Sequence, residues 1–188
     1  AITDLTSVFE GATAFSQTVN YDASIITSLY RSFMGTSITE IALTSTNTDP
    51  ALAELTNLES TFEDCSSLVT ITNSVLLNKV TTAKNLCKNC SAFNGNIVLV
   101  TSELTTAESA LEGCSSFNGS VLLNSSKLVN ISNALAGATS MSGDITIVAP
   151  LLTQDLSGLL QDCKSVYNGT FKLDAATLPS VEGLFKDC

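Results

Sequence analysis

The stretch Leu104 to Lys127, LTTAESALEGCSSFNGSVLLNSSK, holds in 24 residues every feature that recurs along this chain. Its first half places Leu104, Ala107, Leu111 and Cys114 at i, i+3, i+7 and i+10, the apolar stripe expected on one face of a helix. Thr105 followed by Glu108 matches a capping box, and Gly113 is a residue type that closes a helix in the left-handed conformation. The Ser-Ser-Phe-Asn-Gly segment that follows is turn chemistry around one apolar anchor, Phe117. Val121 and Leu123 then flank Leu122 with the period of two of a short strand.

The same frame occurs eight times, 24 to 29 residues apart. Aligned with Cys114 stand Ala12, Thr36, Cys65, Cys90, Ala138, Cys163 and Cys188. Three residues earlier come Phe9, Phe33, Phe62, Cys87, Leu111, Leu135, Leu160 and Phe185, and the residue just before the column is always Gly, Asp or Asn. The anchor Phe117 is matched by Phe15, Leu68, Phe93, Met141 and Val166. A period of this size means a solenoid, in which no unit buries its apolar face alone and neighbours complete one core. The expected fold is therefore an α/β solenoid over residues 1–188. It would be a right-handed, leucine-rich-repeat-like stack of about eight coils, with a parallel sheet on one face and short helices on the other. Strands are expected near residues 97–99, 121–123, 145–147 and 171–173, and Phe62, Phe93, Leu111, Phe117, Leu135 and Leu160 are expected in the core. In the third unit the strand is either the stretch around Ile71 or Val75 to Leu77.

Composition narrows the function classes. Eight Lys or Arg stand against eighteen Asp or Glu, a net charge of −10, with no basic cluster to bind phosphates or an anionic bilayer. No apolar run nears the roughly 20 residues of a membrane-spanning helix. No basic-then-apolar leader precedes Ala1, and the last copy of the frame stops in mid-repeat at Cys188, so a segment of a longer protein is expected.

The frame L-x-x-L-x-x-x-F-x-x-C-x-x-L-x-x-I, nearly verbatim in LTNLESTFEDCSSLVTI at Leu55 to Ile71, resembles the BspA-like leucine-rich repeats. The resemblance covers essentially the whole chain. Units with SAFNGNIVL and SSFNGSVLL depart from it by an Asn-Gly that delays the strand. It implies a surface-displayed recognition or adhesion protein, and similar repeats also occur in bacteriophage structural proteins.

The cysteines invite sharper readings. Cys87 and Cys90 form a C-x-x-C that alone suggests half a zinc site or a redox pair. Both occupy core columns, no second C-x-x-C exists and the chain has no His, so buried free thiols and no metal are expected. Cys65, Cys90 and Cys114 fall in consecutive coils, as do Cys163 and Cys188, at a spacing of about 5 Å that would admit disulfides. In-register side chains point the same way, however, which favours a reduced column.

Without His, a Ser or Cys nucleophile lacks its usual base. The acidic pairs Glu63 with Asp64 and Asp155 with Asp162 read as solvated carboxylates rather than a glycosidase pair. No catalytic residue and no cofactor is expected. Five N-x-S/T sequons, at Asn89, Asn118, Asn124, Asn130 and Asn168, are what chance supplies in so Asn- and Ser-rich a chain.

Function must then reside on the surface. The residue between the two strand anchors of each coil points away from the core, which nominates Val98, Leu122, Thr146 and Lys172, joined by Leu76 if the third strand is Val75 to Leu77. Adjacent apolar residues on an exposed face form a contact stripe. The expected function is non-enzymatic recognition or adhesion at a cell surface or extracellularly, binding a protein or glycan across these residues. The alternative is a structural part of a larger assembly, such as a virion component or a head-to-tail homo-oligomer. Neither reading involves nucleic acid or insertion into a membrane.

Overall fold

In the computed structural model, which describes residues 1–44, 54–73, 77–153, 156–164, 168–177 and 180–188, seven short strands follow one another along the chain. They are β1 (Val19–Asp22), β2 (Glu40–Thr44), β3 (Thr70–Asn73), β4 (Ile97–Val100), β5 (Val121–Asn124), β6 (Ile145–Val148) and β7 (Phe171–Asp174). All pair in parallel and in sequence order, β1-β2-β3 in one sheet and β4-β5-β6-β7 in a second. The fold is a parallel β-solenoid of about six turns. The expected parallel strands at 97–99, 121–123, 145–147 and 171–173 are all present.

Two expectations are corrected. The stack has about six turns rather than eight, seven strands closing the intervals between them. Nor is there a helix among the described residues. The segment Ala107 to Cys114 is instead a run of overlapping turns. Ala110, Glu112 and Cys114 donate their N–H to Ala107, Ser109 and Leu111, three residues back. The intervening Ala107, Ser109, Leu111 and Gly113 donate to Asn130, Ser132, Ala134 and Ala136 of the next coil at 2.8–2.9 Å. An α-helix would satisfy these donors internally, whereas here half of them go to the neighbour.

Left-handed backbone makes the run possible. Ser109 (φ 54°) and Gly113 (φ 76°) are third residues of their turns, the type II arrangement. The column before Cys114 behaves as its composition foretells: Gly11, Gly35, Asp64, Asn89, Gly113, Gly137, Asp162 and Asp187 all have positive φ. A second column, four residues earlier, does the same at Ser7, Arg31, Ser60, Asn85, Ser109, Asn133, Gly158 and Gly183. Two left-handed residues per unit exclude a helix there.

The capping box is also replaced. Glu108 N–H is accepted by the hydroxyl of Thr106, while the Thr105 hydroxyl donates to the Thr81 carbonyl one coil back. Thr106 belongs to a column of short polar side chains, Asp4, Ser28, Asn57, Thr82, Thr106, Asn130 and Ser180, each accepting from the backbone N–H two residues on. The first six pair as a continuous line of parallel bridges on this turn face.

The core lies between the turn face and the strands. Phe62, Phe93, Leu111, Phe117, Leu135 and Leu160 are all buried, as expected. Phe93 and Phe117 stack with centroids 5.9 Å apart, one rung of the apolar ladder that neighbours share. The glycine two residues after Phe93, Phe117 and Met141 has a steric reason: a Cβ on Gly143 would clash with the Gly119 carbonyl oxygen, and one on Gly119 with that of Gly95, so these glycines pack directly on one another. Val166 lies outside the described residues.

Candidate recognition face

Strand register brings four of the nominated residues together. Val98 pairs with Leu122, Leu122 with Thr146 and Thr146 with Lys172, so they form one row across β4 to β7. Period-two alternation points their neighbours Ile97, Leu99, Val121, Leu123, Ile145 and Ile147 into the core, all buried. A second outward row, Val100, Asn124, Val148 and Asp174, lies beside the first and was not singled out by sequence, although the same alternation predicts it. The face grades from apolar at β4, where Val98 and Val100 are 54% and 51% exposed, to charged at β7, where Lys172 and Asp174 are exposed. Leu76 lies outside the described residues, and the third strand is the stretch around Ile71.

The apolar end of this face borders a cleft. No ladder joins β3 to β4 among the described residues, and between them opens a cavity of about 380 Å³ whose lining includes Leu43, Ile71, Leu77, Ile97, Val98 and Val100. Spacing explains the gap. Ile71 follows its column residue Cys65 by six positions and precedes Val80 by nine, whereas Ile97 follows Cys90 by seven and precedes Leu104 by seven. The third unit's strand therefore enters early and leaves late relative to the next coil.

The opposite face is polar and internally paired. Lys84 meets Glu108 at 3.0 Å and Lys88 meets Glu112 at 3.1 Å, each pair occupying one column of adjacent coils. Arg31 pairs with Glu10 and Lys127 with Glu103, whose carboxyl is lowered by that contact and by the Ser102 hydroxyl. Such partly exposed pairs hold register more than they add stability.

The cysteine column has a structural task. Cys65, Cys90, Cys114 and Cys163 are buried, and their thiols donate to the carbonyls of Phe33, Phe62, Cys87 and Leu135, one coil back. Burial pushes the Cys65 thiol up to about 11 and that of Cys163 to about 12, and drives those of Cys87 and Cys114 up as well. These are poor nucleophiles and poor metal ligands. Among the described residues no three His, Cys, Asp or Glu side chains stand close enough to hold a metal ion. The pair Glu63 and Asp64 faces the neighbouring Asn85 and Asn89 amides, and Asp155 lies outside the described residues. No helix among the described residues is long and apolar enough to cross a membrane.

A family model described as "Mycoplasma protein of unknown function, DUF285" matches residues 1–100 and again residues 98–188. The chain belongs to that family. Two consecutive matches restate in another form the repetition of the frame, and they meet in β4, at the edge of the cleft. No curated protein and no solved structure matches the chain.

Proposed function

We propose that this DUF285 chain is a non-enzymatic recognition module that binds a protein or glycan partner across the β4 to β7 face, displayed extracellularly or at a cell surface. One observation carries the reading: Val98 and Val100 are exposed side by side, in register with the partly covered Leu122 and next to an apolar cleft. Contiguous exposed apolar surface of this kind marks contact sites. The finer assignment to BspA-like adhesins rests on the frame at Leu55 to Ile71 and on membership of a repeat family. Charge supports a protein or neutral glycan over nucleic acid, since the net charge is −10.

Attachment of chain-coated beads to cultured cells tests the reading. Val98→Glu with Leu122→Glu should abolish attachment while the unfolding midpoint stays close to that of the parent. Retained attachment by this double variant, with loss in Lys84→Ala or Glu108→Ala, would move the contact to the turn face.

A further inference from the structure

The outward face of β4 to β7 carries its own complement. Its two rows run side by side, Val98, Leu122, Thr146 and Lys172 in one and Val100, Asn124, Val148 and Asp174 in the other. At β4 both members are exposed valines, and at β7 they are exposed side chains of opposite charge. Among the described residues neither Lys172 nor Asp174 has an ion-pair partner, whereas Arg31, Lys79, Lys84, Lys88 and Lys127 all do.

We propose that this face pairs with the same face of a second copy, about a two-fold axis that runs along the stack and passes over the middle of each strand. The rotation keeps each strand opposite its own equivalent and exchanges the two rows. Val98 then lies over the second copy's Val100 and Lys172 over the second copy's Asp174, and each contact occurs twice. Four valines meet at one end and two pairs of opposite charge close the other. Between them Leu122 and Thr146 lie over Asn124 and Val148, with no charge among the four. A two-fold axis along the strands is excluded by the same residues, since it would set β7 against β4 and press Lys172 and Asp174 onto valines. The proposal rests on the reading of this face as a protein-recognition surface and commits it to one occupant, another chain of the same kind lying alongside and pointing the same way. Four strands at ~4.8 Å, and the length from Asn96 to Ser102 at ~3.3 Å per residue, give a face on the order of 400 Å² per copy, at the small end where contacts are transient. The pair therefore forms at high concentration, as on a crowded surface.

Sedimentation equilibrium from about 10 µM to about 1 mM, at ~0.15 M salt so that the net charge of −10 on each copy is screened, tests this. The apparent mass should climb from 19.6 kDa toward twice that value, and a single mass across the whole range overturns the proposal. Lys172→Asp and Asp174→Lys each place like charges opposite one another and should weaken self-association by about tenfold or more. An equimolar mixture of the two single variants restores opposite charges at both contacts and should associate to within about threefold of the parent, as should the double exchange in one chain. Neither misfolding nor a general change in charge reproduces that rescue. If both single variants pair as well as the parent, or if the mixture and the double exchange stay dissociated, the arrangement is wrong. Failure here is separable from failure of the recognition reading. Beads that attach to cells through Val98 and Leu122 while the chain stays monomeric across that range leave the recognition reading intact and show that the occupant is a different protein or a glycan.

Discussion

The thiol of Cys90 donates to the carbonyl oxygen of Phe62 at 2.9 Å, and that same oxygen accepts the N–H of Cys65 at 3.1 Å. One carbonyl thus closes a turn in its own coil and holds the next coil by its second lone pair. This gives the cysteine column a role that the apolar frame alone does not reveal. Ala138 stands in the same column without any such donor, so the thiol is useful but dispensable at a given rung. Cys114→Ala should cost about 1 to 2 kcal/mol, one net hydrogen bond and a small volume, measured by urea unfolding. Iodoacetamide under native conditions should modify Cys188, which is exposed, and leave the five buried thiols intact until the chain unfolds.

Alkali should unzip the same column. Burial raises the Cys65 thiol from 9.0 to about 11, so between those values the unfolded chain has released a proton that the folded chain retains. Stability from this group is complete below about pH 9 and falls as pH rises toward 11, by an amount on the order of 2 kcal/mol. Unfolding midpoints of the parent and of Cys65→Ala, followed from pH 8 to 11, should converge as pH rises. A constant gap would mean that Cys65 titrates as it does in the unfolded chain.

Phe117 is fully buried and stacks on Phe93. Phe117→Ala should therefore cost about 3 to 5 kcal/mol through lost burial and the cavity left behind. A loss below about 1 kcal/mol by denaturant titration would show that the anchor does not pack as described.

Two glycines should respond to alanine for different reasons. Gly143→Ala drives a methyl group into the backbone of Gly119 and should cost about 2 to 3 kcal/mol or locally part the coils. Gly11→Ala meets nothing within 4 Å but has φ 71°, so it should cost only the left-handed strain, about 1 kcal/mol. Thermal unfolding of the two variants side by side separates packing from conformation.

Strands and core were legible because period-two alternation and the anchor column report burial, and burial decides both. The turn run was not. Leu104, Ala107, Leu111 and Cys114 face inward in overlapping turns as they would in a helix, so the stripe cannot distinguish the two. The discriminating signals were the second left-handed column, obscured by Arg31 and by serines that show no such preference, and the Asp, Ser, Asn or Thr eight residues before each Cys-type position. The pentapeptide SVLLN occurs at both 74–78 and 120–124. At the second site it leads into β5, and at the first, Leu77 and Asn78 lie past β3 and outside any strand. The difference lies in the room that follows: Asn124 has three residues before Leu128, Asn78 only one before Val80. The outward row from Val98 to Lys172 was legible because alternation and a constant period fix both its direction and its register. The gap beside it was not, since it arises from unequal spacing between two units.

Because neighbouring coils are joined by backbone bonds at matching positions, the molecule can be spliced. Removing the 24 residues from Thr101 to Asn124 would join Val100 to Ser125, set β4 against β6 and let Thr82 meet Asn130 with every donor again facing an acceptor. The outward row would simply lose Leu122. Length in such a protein can therefore drift by whole units through recombination between near-identical segments, adding or removing contact positions while the scaffold is left undisturbed.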